Sequence, residues 1–140
     1  MQTLTDFFGK YFINPIDDTI DFSGKTRTVD RICDFINETV NYFETENYVF
    51  VHSSIPDMDW RNASEKEWEE ARWGNPYELA EFGLLPDKTL VFGHFHTSWP
   101  RHHYEGKPER GEGADFGIYY GNGYIAIDGC VALTDKVNVL

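Results

Sequence analysis

The residues of this chain best suited to chemistry are its five histidines, His52, His94, His96, His102 and His103. His52 closes the dense apolar run Tyr48-Val49-Phe50-Val51. His94 and His96 follow a second such run, Thr89-Leu90-Val91-Phe92, after Gly93. Both runs read as buried strands. Ligand sites in sheets flanked by helices favour the C-terminal ends of strands, where loops converge. Residues i and i+2 of a strand face the same side, so His94 and His96 can aim into one site with His52. Converging neutral imidazoles suit zinc, iron or manganese. The same spacing also fits three hydrogen-bonded histidines at loop ends, and spacing alone does not separate the two. His102 and His103 read as loop histidines.

The elements that must position these residues follow from periodicity and turn signals. Leu4, Phe7, Phe8, Tyr11 and Phe12 lie at helical spacing and end before Asn14-Pro15. Val29, Ile32, Cys33, Ile36, Val40 and Phe43 share one face of a predicted helix over residues 26–45. Ser64-Glu65-Lys66-Glu67 fits a capping box, which starts a helix running to Trp73 and stopped by Gly74-Asn75-Pro76. A short helix is expected from Tyr77 to Phe82. Residues 99–115 read as a long loop. Asn122-Gly123 between apolar runs predicts a hairpin. Residues 136–140 are predicted to form a last strand. The pattern is mixed α/β (α+β), in one domain of 140 residues.

Composition bounds the function. The chain is 41% apolar and 16% aromatic, enough for a core. A net charge of −12 argues against binding a nucleic-acid backbone or an anionic membrane. A phosphate substrate stays possible, because a bound dication reverses the local field. Cys33 and Cys130 form no CxxC pair and are expected to be two free, buried thiols. With no basic leader and no apolar span, the expected location is the cytoplasm. Trp60, Trp68, Trp73 and Trp99 read as packing residues. Arg101 and Lys107 could meet a phosphate, but read by default as loop cations open to solvent.

Four segments, in order, resemble the calcineurin-like metallophosphoesterases, a family of hydrolases. Residues 48–56, with Val51-His52-Ser53-Ser54-Ile55, resemble its strand-His segment. Gly93-His94-Phe95-His96 resembles its Gly-His-x-His motif. Ile125-Ala126-Ile127-Asp128-Gly129 resembles the apolar strand and Asp-x-Gly that follow, and residues 137–140 resemble the closing strand. The bacterial protein Ser/Thr phosphatase-like branch, which includes dinucleoside tetraphosphatases, is the most similar. The resemblance implies the C-terminal half of a four-layer αββα sandwich. It implies two divalent ions (manganese, iron or zinc) and a phosphorylated protein or small-molecule substrate. His52 and His94 would bind one metal and His96 the other. Asp128 would orient a ligand histidine, or else stabilise a turn with Gly129. Arg72, beside Trp73, would meet substrate, or else be a solvated helix arginine.

The chain departs from the family in its upstream motifs. No aspartate has a histidine two residues later, and no glycine precedes an aspartate. Gly74-Asn75 and Gly121-Asn122 are followed by proline and glycine, not histidine. The bridging aspartate, the asparagine ligand and the catalytic histidine thus have no counterpart. Weak or partial metal occupancy and no turnover by this chain alone are expected. The alternatives are a non-catalytic metal-binding or regulatory module, or a half-enzyme completed by a separate N-terminal chain. A half-sandwich bares an apolar sheet face, which predicts a homodimer or a strand-exchanged assembly.

Overall fold

A computed structural model describes residues 26–57, 59–80, 85 and 87–140. The helix expected at residues 4–12 and the end of the one expected at 77–82 lie outside the described residues. The chain falls into two units, Met1–Val40 and Asn41–Leu140. In the first, helix α1 spans Thr26–Asn37. It is shorter than its apolar pattern predicts. The Thr39 hydroxyl donates to the Ile36 carbonyl at 2.6 Å, and such side-chain bonds compete with the helical ladder. The residues predicted to finish that helix instead form strand β1, Tyr42–Glu44. Tyr42 and Phe43 are aromatic and favour a strand once a partner is present.

The second unit is mixed α/β. Its strands are β1, β2 (Tyr48–Val51), β3 (Thr89–Phe92), β4 (Tyr119–Gly121) and β5 (Tyr124–Ala126). They form one sheet in the order β1-β2-β3-β5-β4. β2, β3 and β5 are parallel, while β1 and β4 pair antiparallel at the two edges. The central strand β3 buries Leu90, Val91 and Phe92 together. That fits a strand covered on both faces, which reads as a continuous apolar run.

Helix α2 (Glu65–Trp73) starts at the predicted capping box. The Ser64 side chain accepts from the Glu67 N–H, and the Glu67 carboxylate accepts from the Ser64 N–H at 2.7 Å. Helix α3 spans Pro76–Ala80. Trp60, Trp68, Ala71 and Tyr77 pack with Val49, Leu90, Phe92 and Tyr124 on one face of the sheet. Tyr77 stacks on Trp99 with ring centroids 4.8 Å apart and meets Phe92 edge-on at 5.2 Å.

The expected loop at 99–115 is in part a helix, α4, Ser98–Glu105. Pro100 is its third residue, inside the first turn, where backbone N–H groups have no helical partner and proline costs little. Arg101 is not a solvated loop cation. Its guanidinium donates to the carbonyls of Thr97, Gly117 and Ile118 at 2.9–3.0 Å and pairs with Asp115 at 2.9 Å. This one side chain ties residues 115–118 to α4. Lys107 is paired too, with Glu105 at 2.8 Å.

The hairpin β4–β5 turns at Gly123, whose φ of 79° is in the left-handed region. The strand expected at 136–140 is absent. A short helix, α5 (Val131–Thr134), lies between Cys130 and Asp135, both at positive φ, and the chain after it is irregular. β5 already has β3 and β4 as neighbours, so no vacancy beside it is open to a further strand. The Asn138 amide instead donates to the carbonyls of Phe116 and Ile127. Cys33 is exposed and Cys130 half-buried, so neither is the buried thiol expected. No described helix is long and apolar enough to cross a membrane.

Candidate metal centre

The three parallel strands end side by side, and each is followed by a residue that can carry charge or bind metal. His52 follows β2, His94 lies two past β3, and Asp128 lies two past β5. The ladder runs on briefly beyond the strands. The Gly93 N–H donates to the His52 carbonyl at 3.0 Å, and the Ile127 N–H to the Phe92 carbonyl at 2.9 Å. His94 then leaves the ladder with φ of 65°. A non-glycine residue there carries strain, and such residues cluster at functional sites.

The break brings two imidazoles together. His52 Nε2 lies 3.2 Å from His94 Nδ1, with the rings tilted by 54°. With one ring nitrogen protonated this is an N–H···N hydrogen bond. Two nitrogens each about 2.0–2.1 Å from a tetrahedral zinc would stand roughly 3.3 Å apart, so the pair also fits one edge of a metal site. His52 is held below its ordinary pKa of 6.5, first by burial and next by His94, against the opposing field of Asp128. That favours the neutral ring, the form that ligates metal. His94 is flanked edge-on by Trp73 at 5.5 Å and by Phe95 at 5.3 Å.

The other residues expected at the site are engaged elsewhere. His96 Nδ1 meets the Ser98 hydroxyl at 2.8 Å, and Nε2 meets a Glu109 carboxylate oxygen at 3.4 Å. The i, i+2 alternation that aligned it with His94 requires extended backbone, and His94 is left-handed. Asp128 accepts the Cys130 N–H at 2.7 Å, and its carbonyl accepts the Thr97 N–H at 2.9 Å. The structure thus gives its carboxylate a bond within the turn, while its charge still reaches His52. Arg72 pairs with Glu65 and donates to the Asn41 side chain at 3.0 Å. Among the described residues, no group of three or more His, Cys, Asp or Glu side chains is placed to hold a metal ion.

Trp73 is the residue that sequence reasoning missed. It is 72% exposed and lies outside the core, with its ring edge-on to His94. The signal lay in the phase of α2. Trp68 and Ala71 face the core, and five residues past Trp68 the helix has turned about 140° away. His102 and His103 sit on α4, with His103 stacked on Trp99 at 4.8 Å. Compared with known proteins, the chain matches no family model, no curated protein and no solved structure.

Proposed function

We propose that His52 and His94 bind one divalent ion (zinc, manganese or iron), and that the chain is the histidine-bearing portion of a metal-dependent phosphoesterase. The observation that carries this reading is the 3.2 Å approach of two imidazole nitrogens at the C-terminal ends of neighbouring parallel strands. The neutral form favoured at His52 supports it. A divalent ion there supplies Lewis acidity toward a phosphoryl oxygen. The protein's own part is to hold the two rings: the strand ends fix the backbones, and Trp73 and Phe95 flank His94.

The four-layer sandwich belongs to the same proposal. Phe43, Phe50, Val91, Ile125 and Tyr120 are register partners across all five strands, on the face opposite the Trp60–Tyr77 core. Val91, at the centre of the row, is buried, so it is the row's ends, Phe43 and Tyr120, that a second sheet or a second copy of the chain would cover. Two unpaired thiols fit a reducing cytoplasmic setting.

With two protein ligands and none of the family's carboxylates, the 140 residues alone bind metal without hydrolysing phosphate esters. A binding or regulatory module, or a half-enzyme completed by another chain, is the second reading. The engagement of His96 by Ser98 and Glu109 favours it. Calorimetric titration with Zn²⁺ and Mn²⁺, with Co²⁺ absorption as an optical readout, tests the proposal. One equivalent is expected to bind. His52→Ala and His94→Ala are each expected to lose more than the roughly 10- to 100-fold that removing an outer partner costs. His96→Ala is expected to keep affinity. Undiminished binding by the His52→Ala/His94→Ala double variant would overturn the site. Metal-dependent turnover of an aryl phosphate by the parent chain would overturn its inactivity.

A further inference from the structure

The two residues that follow His52 are serines, and both are buried, Ser53 fully and Ser54 nearly so. Polar side chains are found in such places with hydrogen-bond partners. The partners of this segment lie at the end of α2. The Ser53 hydroxyl donates to the Gly74 carbonyl at 2.6 Å, and the Ser54 N–H donates to the Ala71 carbonyl at 3.3 Å. The last carbonyls of a helix have no intrahelical donor, and many helices close them with a glycine in the left-handed region. Gly74 does not serve in that way. Its backbone is extended, and beyond its own N–H bond to Ala71 the donors come from the chain past β2.

This seam closes a circuit of contacts around the histidine pair. His52 is followed by Ser53, Ser53 reaches Gly74, and Gly74 follows Trp73, the last residue of α2. The Trp73 ring meets the His94 ring edge-on at 5.5 Å, and His94 Nδ1 returns to His52 Nε2 at 3.2 Å. Outside the pair itself, the circuit runs through two side chains, the Ser53 hydroxyl and the Trp73 ring. The core does not hold the Trp73 ring, because it is largely exposed. Exposed side chains change rotamer freely unless their backbone and neighbours restrict them. The backbone of Trp73 is set by the end of α2. That end is set against β2 by the seam, in which the Ser53 bond is the shorter and the one made by a side chain.

We propose that Ser53 is a positioning residue for the histidine pair: its hydroxyl holds the end of α2 so that Trp73 keeps the His94 ring turned toward His52. The proposal rests on the metal reading for its purpose, while the contacts it invokes exist without metal. Ser54, just as deeply buried, has no such part through its side chain, because its hydroxyl donates to the neighbouring Ile55 carbonyl.

Proton NMR of the metal-free chain and titration with Zn²⁺ together test it. The parent is expected to show a nuclear Overhauser effect between the Trp73 indole and His94 ring protons. Ser53→Ala is expected to lose it while keeping the one between Tyr77 and Trp99, whose rings stack in the core. Zn²⁺ affinity is expected to fall about 10- to 100-fold in Ser53→Ala, the usual cost of removing a group that orients a ligand, and to be unchanged in Ser54→Ala. Trp73→Ala, at an exposed position, is expected to fall as far, and the double variant no further than either, because the two act through one link. Ser53→Cys, which fills the same space with a weaker donor, carries the test should Ser53→Ala fail to fold, and is expected to weaken both signals. A Trp73–His94 effect that survives unchanged in the Ser53 variants, or parent affinity in Trp73→Ala, overturns the proposal. The two readings fail separately. Zn²⁺ binding undiminished in the Ser53 and Trp73 variants sinks the positioning role alone. Loss of the Trp73–His94 effect in Ser53→Ala, in a chain whose parent binds no Zn²⁺, sinks the metal site alone.

Discussion

The left-handed backbone of His94 decides which side chains meet. It lifts the ring out of strand alternation and sets it against His52, and it leaves His96 to Ser98 and Glu109. Left-handed backbone costs a side-chain-bearing residue roughly 1–2 kcal/mol. Asparagine tolerates it better than most residues, and β-branched residues tolerate it worst. His94→Val is therefore expected to lie about 1–2 kcal/mol below His94→Asn in stability, measured as urea unfolding of the metal-free protein. Equal stabilities would mean that the turn relaxes and does not set the ring. At this scale the sequence was legible where an apolar run ended in histidine, as at His52 and His94. It was illegible where one dihedral angle redirected a neighbour, as at His96, or where helix phase outranked residue type, as at Trp73.

The elements are held by a few polar clamps, and these decide how the edges behave. Strand β1 is pinned by Glu44, which takes the Arg61 guanidinium and sits 3.2 Å from the Lys88 ammonium. Lys88 in turn donates to the carbonyls of Thr45 and Glu46. The hydrogen bond from Arg61 is the largest influence on Glu44 and, with Lys88, holds it at about 2, well below its ordinary 4.5. A carboxyl depressed on folding stabilises fully above its unfolded pKa and loses that contribution as pH falls through the folded one. Between about pH 4.5 and about 2, the parent chain is thus expected to lose more stability than Glu44→Gln, read from urea midpoints across that range. Parallel pH curves for the two would show that the clamp adds nothing to the fold. Local chemistry made some elements readable, such as the Ser64–Glu67 capping box and the Asn122-Gly123 turn. Helix α4 was hidden because Trp-Pro after Ser98 looks like a breaker until its place in the first turn is known. Residues 136–140 looked like a strand because alternating apolar residues carry no information on whether a neighbouring strand is vacant.

For the whole molecule, the asymmetry of the sheet matters most. Helices α2, α3 and α4 contribute to the core on one face, while the row from Phe43 to Tyr120 lies on the other, with Phe43 63% and Tyr120 67% exposed. Val91 between them is buried, so the exposed ends of the row are what favours association, opposed by repulsion between two chains of charge −12. Light scattering at high protein concentration is expected to give a dimer mass, and added salt to shift the balance further toward it by screening. A monomer that persists at all salt concentrations counts against the covered face. Strand order also bears on how the chain is made. β3 is the most deeply buried strand, yet its two partners come from opposite sides of it in the sequence, β2 before and β5 well after. While the ribosome has released β3 but not yet residues 124–126, Leu90, Val91 and Phe92 lie on a naked sheet edge able to accept any passing strand. The nascent chain is thus most exposed to mispairing during the interval in which α4 and the Arg101-tethered loop are being synthesised, and it leaves that interval only when Tyr124 arrives.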